Sequence, residues 1–173
     1  MTRRRQAGPT GQHVLALRNR QRRRRVDLRV LRRIVTALLR EACPSVRFDL
    51  AIHIVSAPEI TRLNETFLHH EGSTDVITFD YAEPTAPPAS LRGSPALLHG
   101  EIVACMDEAV SQARRFHTSW QSELVRYVVH GVLHLLGEDD RTTRARLRMK
   151  ASEDALVRRL ADVFDFRRLT PGG

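Results

Sequence analysis

Two histidines, His130 and His134, lie four residues apart in a segment whose apolar residues predict a buried helix. Side chains four residues apart on a helix project from one face, with Cβ atoms about 6 Å apart. Both imidazoles can therefore reach one metal ion, at about 2.0–2.1 Å from each nitrogen. The pattern predicts a zinc site, and the alternative is a pair of hydrogen-bonded histidines in the core.

Three acidic residues after the second histidine, Glu138, Asp139 and Asp140, are candidates for a third ligand. Gly137 precedes them and can end the helix in the left-handed conformation, so that the chain folds back. Asp140 is the predicted ligand, and its alternative role is the N-cap of the following helix. Three protein ligands leave one coordination position open, which distinguishes a catalytic zinc from a structural one. The predicted site, with one Zn²⁺ per chain, consists of His130, His134 and Asp140.

The spacing of the histidines is also that of the zinc peptidases. Those enzymes need a glutamate directly after the first histidine as general base. Gly131 occupies that position here. The alternative function is therefore a zinc hydrolase acting on peptides or small amides, but the chain lacks the general base that such an enzyme needs.

Apolar periodicity predicts eight elements that must position these residues. In order they are helix 26–42, strand 46–54, helix 56–67, strand 76–81, strand 97–106, and helices 107–116, 119–136 and 142–163. Residues 82–95, rich in proline, form a predicted loop. Strands early in the chain and helices late favour an α+β fold, with one small sheet covered by helices and the metal site on a buried central helix.

The net charge of +8 is concentrated in the first 25 residues, which contain nine arginines and no acidic residue. The remaining chain has 19 basic and 20 acidic residues. This distribution predicts a basic, disordered N-terminal arm over residues 1–25 that contacts phosphates, followed by one domain over 26–169. The alternative is a plain extension without a ligand.

Two cysteines, Cys43 and Cys105, are too few for a disulfide framework. The chain has no stretch of about 18 apolar residues that would span a membrane. These features predict a reduced, cytoplasmic protein with neither a membrane partner nor a disulfide-linked partner.

Three ordered motifs resemble the YbeY family of ribosomal-RNA maturation factors. They are HGVLHLLGEDD at residues 130–140, STDVITF at 73–79 preceded by Leu63-Asn64, and GEIV at 100–103. Met149 and Glu153 also match the last helix of the family. The resemblance covers roughly residues 45–160.

The resemblance implies a metal-dependent endoribonuclease specific for single-stranded RNA. It implies a role in maturation of the 3′ end of small-subunit rRNA and in ribosome quality control, with rRNA and the small ribosomal subunit as partners. The implied fold is a small mixed sheet with a metalloprotease-like metal helix packed beneath a cleft. A non-catalytic, zinc-containing ribosome-assembly factor is the alternative.

Two positions depart from the family pattern. Asp140 stands where the family has its third histidine, and a carboxylate is also a competent zinc ligand. Leu68 stands where many members have an arginine that binds phosphate. His69 and His70 are candidates for contacting RNA in its place.

Further residues are expected to support the chemistry. Asp139 or Glu138 is a candidate for orienting a catalytic water, and Asp75 for fixing the tautomer of a ligand histidine. The alternative for Asp75 is a cap at the start of a strand. A basic stripe on the last helix is a candidate RNA contact, with an ordinary solvated helix face as the alternative. Its members are Arg141, Arg144 and Arg148.

Overall fold

The computed structural model describes residues 13–44, 46–82 and 97–172. The loop expected over 82–95 therefore lies outside the described residues, except for Ala82. The described elements are β1 (Val14–Asn19), α1 (Leu28–Ala42), β2 (Arg47–Val55), α2 (Ala57–Leu63), a π-helical turn (Asn64–Leu68), β3 (Val76–Asp80), β4 (Leu97–Cys105), α3 (Met106–Phe116), α4 (Trp120–Leu135), α5 (Thr143–Val163) and a 3₁₀ turn (Phe166–Leu169).

The four strands form one mixed sheet in the order β1-β2-β4-β3. Strands β1, β2 and β4 run parallel, and β3 is an antiparallel edge strand beside β4. The alternation expected in β2 is present, because Leu50, Ile52 and Ile54 point into the core while Asp49 is exposed. The predicted α+β fold, with a small mixed sheet packed against helices, is confirmed.

One large hydrophobic core joins this face of the sheet to helices α1, α4 and α5. A smaller cluster on the opposite face joins Val55, Ile77 and Val103 to Ile60 of α2. Helix α4 contributes buried residues on nearly every side, as its apolar composition predicts. Among the described residues, none of the helices is long and apolar enough to cross a membrane.

Strand β1 differs from the expected disordered arm, because Val14–Asn19 pair in parallel with β2. Leu15 and Leu17 of this strand pack against the main core. The alternating apolar residues of β1 are few and lie among arginines, so the sequence does not predict a strand there. Its partner strand, β2, follows only after helix α1. The described fold therefore begins before residue 26, while residues 1–12 of the expected arm lie outside the described residues.

Two glycines allow α4 to approach the sheet closely. A Cβ at Gly131 would lie 2.8 Å from Cγ2 of Ile102, which is a side chain of β4. A Cβ at Gly100 would clash with the carbonyl oxygen of Phe79 and would lie 2.7 Å from Cδ2 of Leu135. Because neither position has room for a side chain, the helix that carries both histidines is held at a short, defined distance from β4.

We expect Gly131→Ala to lower the free energy of unfolding of the metal-free protein by about 1–2 kcal/mol. The added methyl group must displace the Ile102 side chain, which costs more than the gain of about 1 kcal/mol in helix propensity. Urea denaturation followed by circular dichroism measures the change. An equally or more stable variant would mean that α4 can move away from β4 without cost.

Candidate metal centre

The end of α4 brings the histidine face together with the acidic segment. Gly137 has a φ of 93°, as the sequence predicts. The Glu138 amide donates to the carbonyl of Leu133 at 3.0 Å, and the Gly137 amide donates to that of His134 at 2.9 Å. This pair of hydrogen bonds is a Schellman motif, which reverses the chain directly after the helix. The reversal places Asp140 beside His134.

The predicted ligand residues His130, His134 and Asp140 lie together. One ligand atom from each lies within 4.8 Å of the others. The two Nε2 atoms of the histidines are 3.0 Å apart, and Nε2 of His134 is 4.0 Å from Oδ2 of Asp140. All three side chains are partly exposed, so an ion and a substrate can reach the cluster from solvent.

The other ring nitrogen of each histidine is already bound to an acceptor. Nδ1 of His130 is 3.0 Å from Oε2 of Glu153, and Nδ1 of His134 is 3.1 Å from the carbonyl oxygen of Glu138. A carboxylate and a carbonyl cannot donate, so each Nδ1 must carry the proton. In the neutral imidazoles both Nε2 atoms then present lone pairs to each other. Such a pair repels unless a positive charge lies between its members, either a metal ion or a proton shared by the two rings.

This arrangement fits a zinc ion. Two imidazole nitrogens and one carboxylate are ligand types that Zn²⁺ accepts, with one position left for water or substrate. A histidine that binds a metal commonly donates its other N–H to a carboxylate or a backbone carbonyl, and both kinds of acceptor occur here.

The buried carboxylate of Glu153 is charged. Burial alone raises its pKa, but hydrogen bonds from His130, Arg126 and Lys150 outweigh this effect and lower the pKa to about 2. Burial lowers the pKa of His130, but the hydrogen bond to Glu153 and the negative charges of Glu153, Asp75 and Asp140 together raise it more, so the net shift is upward. The local field at His130 therefore favours a bound cation.

The competing acidic residues make other contacts. Asp139 accepts from the guanidinium Nε of Arg141 at 3.0 and 3.2 Å, and hydrogen bonds from Arg141 lower the pKa of its carboxyl. The Glu138 carboxylate lies 3.4 Å from the hydroxyl of Ser152. In the ranges 13–44, 46–82 and 97–172, the metal-binding cluster includes neither of them.

The alternative role of Asp140 is taken by a neighbour. Thr142 is the N-cap of α5, and its hydroxyl accepts from the amide of Ala145 at 3.1 Å. Asp140 therefore has its carboxylate free of capping. Its backbone carbonyl accepts from Nε of Arg146 at 3.2 Å, which helps to fix this segment.

Asp75 makes local hydrogen bonds in the structure, and its suggested role at a ligand histidine stays a prediction. Its Oδ1 accepts from the hydroxyl of Thr74 at 3.1 Å and from the amide of Val76 at 2.9 Å, which is the capping arrangement at the start of β3. The carboxylate within hydrogen-bond distance of Nδ1 of His130 is that of Glu153. The sequence offers one signal for Glu153, which is an acidic residue four positions after Met149 on the last helix. The sequence does not show that this side chain is buried.

The candidate RNA contacts lie outside the cluster. Arg144 and Arg148 are exposed on α5, whereas Arg141 is paired with Asp139. His69 and His70 are exposed at the end of the π-helical turn, where His69 has a φ of 56°. Leu68 is also exposed, and its side chain carries no positive charge.

The fold and the site define a mixed α+β protein with a candidate metal centre on a buried helix. The family model described as Endoribonuclease YbeY matches residues 16–161. The chain belongs to the YbeY family. The resemblance found in the sequence is thereby confirmed.

Individual relatives agree with this assignment. Endoribonuclease YbeY of Salinibacter ruber is 35% identical over 105 residues, 61% of this chain and 66% of the relative. That of Chlorobium luteolum is 37% identical over 99 residues, 57% and 64% of the two chains. The chain thus spans just under two thirds of the length of these two relatives. The Chlorobium phaeovibrioides protein of the same name is 32% identical over 135 residues, 69% of this chain and 84% of the relative.

A solved structure supports the fold. The solution structure of a Thermotoga maritima protein superimposes with a TM-score of 0.55 at 22% identity. The match covers 92% of this chain and 99% of that chain. This likeness supports the fold of the described residues.

We expect Thr142→Ala to lower the free energy of unfolding of the chelator-treated protein by about 1 kcal/mol, because it removes the N-cap of α5. Asp140→Ala should cost less than half of that, since its exposed carboxylate caps nothing. Urea denaturation of both variants makes the comparison. A larger loss for Asp140→Ala would give Asp140 a structural role rather than a ligand role.

Proposed function

We propose that this protein is a zinc-dependent endoribonuclease that cleaves single-stranded RNA. Its proposed role is maturation of the 3′ end of small-subunit rRNA and ribosome quality control, with the small ribosomal subunit as partner. The observation that carries the proposal is the cluster of His130, His134 and Asp140, in which one ligand atom from each residue lies within 4.8 Å of the others. The names of the relatives support RNA as the substrate.

In this proposal His130, His134 and Asp140 hold one Zn²⁺. When bound, the ion supplies Lewis acidity toward a phosphoryl oxygen and lowers the pKa of water. Glu138 and Asp139 are the candidates for orienting that water. Asp139 would have to leave Arg141 to do so, which favours Glu138.

The peptidase alternative is disfavoured by packing as well as by residue type. A peptidase base at residue 131 would need a side chain, and even a Cβ there would lie within 3 Å of three Ile102 carbon atoms. The non-catalytic alternative draws on Leu68, which offers no positive charge to a phosphate. The test below separates it from the enzyme.

The proposed compartment is the cytoplasm, and the proposed domain is single. Cys43 and Cys105 are both buried and free, which fits a reducing environment. Burial raises the pKa of the Cys43 thiol to about 11, so this side chain is inert. The domain is extended from residue 26 to include β1, which pairs with β2.

We expect about one zinc per wild-type chain after purification, measured by atomic absorption. His134→Ala and Asp140→Ala should both lose the ion, because each removes one of three ligands. Glu138→Ala and Asp139→Ala are matched controls from the same segment and should retain it. Zinc retained in Asp140→Ala but lost in Asp139→Ala would move the third ligand to Asp139.

The same proteins decide whether the metal is catalytic. Zinc-loaded wild type should cleave an unstructured RNA and leave a duplex and an unstructured peptide intact. His134→Ala should be inactive while its circular dichroism remains that of the wild type. Zinc binding without any RNA cleavage would support the non-catalytic assembly factor, and peptide cleavage would support the hydrolase.

The exposed arginines of α5 provide a separate test of RNA binding. We expect Arg144→Ala combined with Arg148→Ala to weaken binding of single-stranded RNA and to flatten its salt dependence. The log–log slope should fall by about 1–1.5, since each phosphate that an arginine no longer neutralises accounts for about 0.7. Binding is titrated by fluorescence anisotropy in chelator, so that no cleavage occurs.

The matched control for these arginines removes the same charge elsewhere. Arg40→Ala combined with Arg158→Ala changes two exposed arginines outside the stripe. The slope of this control should stay close to that of the wild type. Equal slopes in both double variants would mean that the stripe of α5 is an ordinary solvated face.

A further inference from the structure

Glu153 is a buried acidic residue on a helix that is otherwise largely exposed. Its side chain is only 7% exposed, and it contacts three positively polarised groups. Oε1 accepts from Nη1 of Arg126 at 2.5 Å and from Nζ of Lys150 at 3.0 Å. Oε2 is thereby left for Nδ1 of His130, at 3.0 Å. One oxygen of the Glu153 carboxylate thus contacts the two cations, and the other contacts His130.

The neighbouring Asp154 also forms ion pairs with Arg126 and Lys150, so it can be compared with Glu153. Its Oδ1 accepts from Arg126 at 2.5 Å and lies 3.1 Å from Nζ of Lys150. The two cations therefore have a second carboxylate, more exposed than the first, that makes no contact with His130. A buried charge is costly unless it is fully paired, so neutralising these two cations gives no reason to bury Glu153 as well.

We propose that Glu153 is a positioning residue that fixes His130 in the Nδ1–H tautomer, with Nε2 directed at the metal, and that Arg126 and Lys150 hold Glu153 in place. This inference rests on the proposed metal site. The Arg126 and His130 side chains project from the same face of α4, and Lys150 and Glu153 lie one turn apart on α5. Metal binding on α4 therefore depends on α5.

The two histidines differ in how they are held, and this difference supplies an internal control. The acceptor for His134 is the backbone carbonyl of Glu138, which no side-chain change at residue 153 can remove. A loss of the Glu153 carboxylate should therefore alter His130 and leave His134 as it is. A purely structural ion pair would lower stability without distinguishing the two rings.

The experiment compares Glu153→Gln with Asp154→Asn, since each variant replaces one carboxylate that contacts Arg126 and Lys150. Zinc affinity is measured by competition with a chromophoric chelator. Glu153→Gln should weaken zinc binding by about 10–100-fold. Asp154→Asn removes only a partly exposed carboxylate and should change the affinity by no more than about fivefold. Equal effects of the two variants would overturn the proposal.

Nitrogen-15 NMR of the histidine rings gives the second readout. In zinc-loaded wild type, His130 should show a protonated Nδ1 with a downfield proton, and Nε2 should bind the ion. In Glu153→Gln this proton should move upfield, while the Nδ1 proton of His134 stays unchanged. Coordination of zinc through Nδ1 of His130 in the wild type would overturn the proposal, even if Glu153→Gln does not fold.

The outcomes also separate this inference from the proposed function. Wild type that binds no zinc removes the proposed metal-dependent function, and the inference with it. Wild type that binds zinc, together with a Glu153→Gln variant of unchanged affinity and unchanged ring signals, removes only the role of Glu153.

Discussion

The hydrogen bonds at the two Nδ1 atoms decide what the histidine face of α4 can bind. One bond runs from His130 to a buried carboxylate, and the other from His134 to a backbone carbonyl. Neither acceptor can return a proton, so in the neutral imidazoles both Nε2 atoms are lone pairs, 3.0 Å apart. The surrounding helices can be understood as the support that keeps both acceptors in place.

That support is built from close packing on one side and charge on the other. Gly100 and Gly131 let α4 lie directly on β4, since a Cβ at either position would clash with the facing element. On the far side, Arg126 and Glu153 tie α4 to α5. The sheet thus sets the distance between α4 and β4, and α5 sets the orientation of the His130 ring. In the proposed site, metal binding is linked to the docking of α5, because Glu153 of α5 contacts the candidate ligand His130.

Local patterns were sufficient for part of this arrangement. A spacing of four residues specifies one helix face, and Gly137 specifies the left-handed turn that follows, so His130 and His134 could be predicted together. The choice among Glu138, Asp139 and Asp140 could not be made, because it depends on how far the chain turns and on Thr142 acting as the cap. Glu153 lies on another helix, and only the packing of α4 against α5 brings it to His130. Strand β1 was missed because its partner is distant in sequence and its apolar residues are few among arginines.

The helix-terminating turn at Gly137 has a consequence for how the site tolerates heritable variation. His134 is oriented by the backbone oxygen of residue 138, and every amino acid supplies that atom. His130 is oriented by a side-chain carboxylate, which a single codon change can abolish. The orientation of His134 therefore does not depend on the side chain at residue 138, because its acceptor is a main-chain atom. The orientation of His130 does depend on the side chain at residue 153. A substitution at residue 138 leaves the acceptor of His134 in place, whereas a substitution of Glu153 by a residue without a carboxylate removes the acceptor of His130.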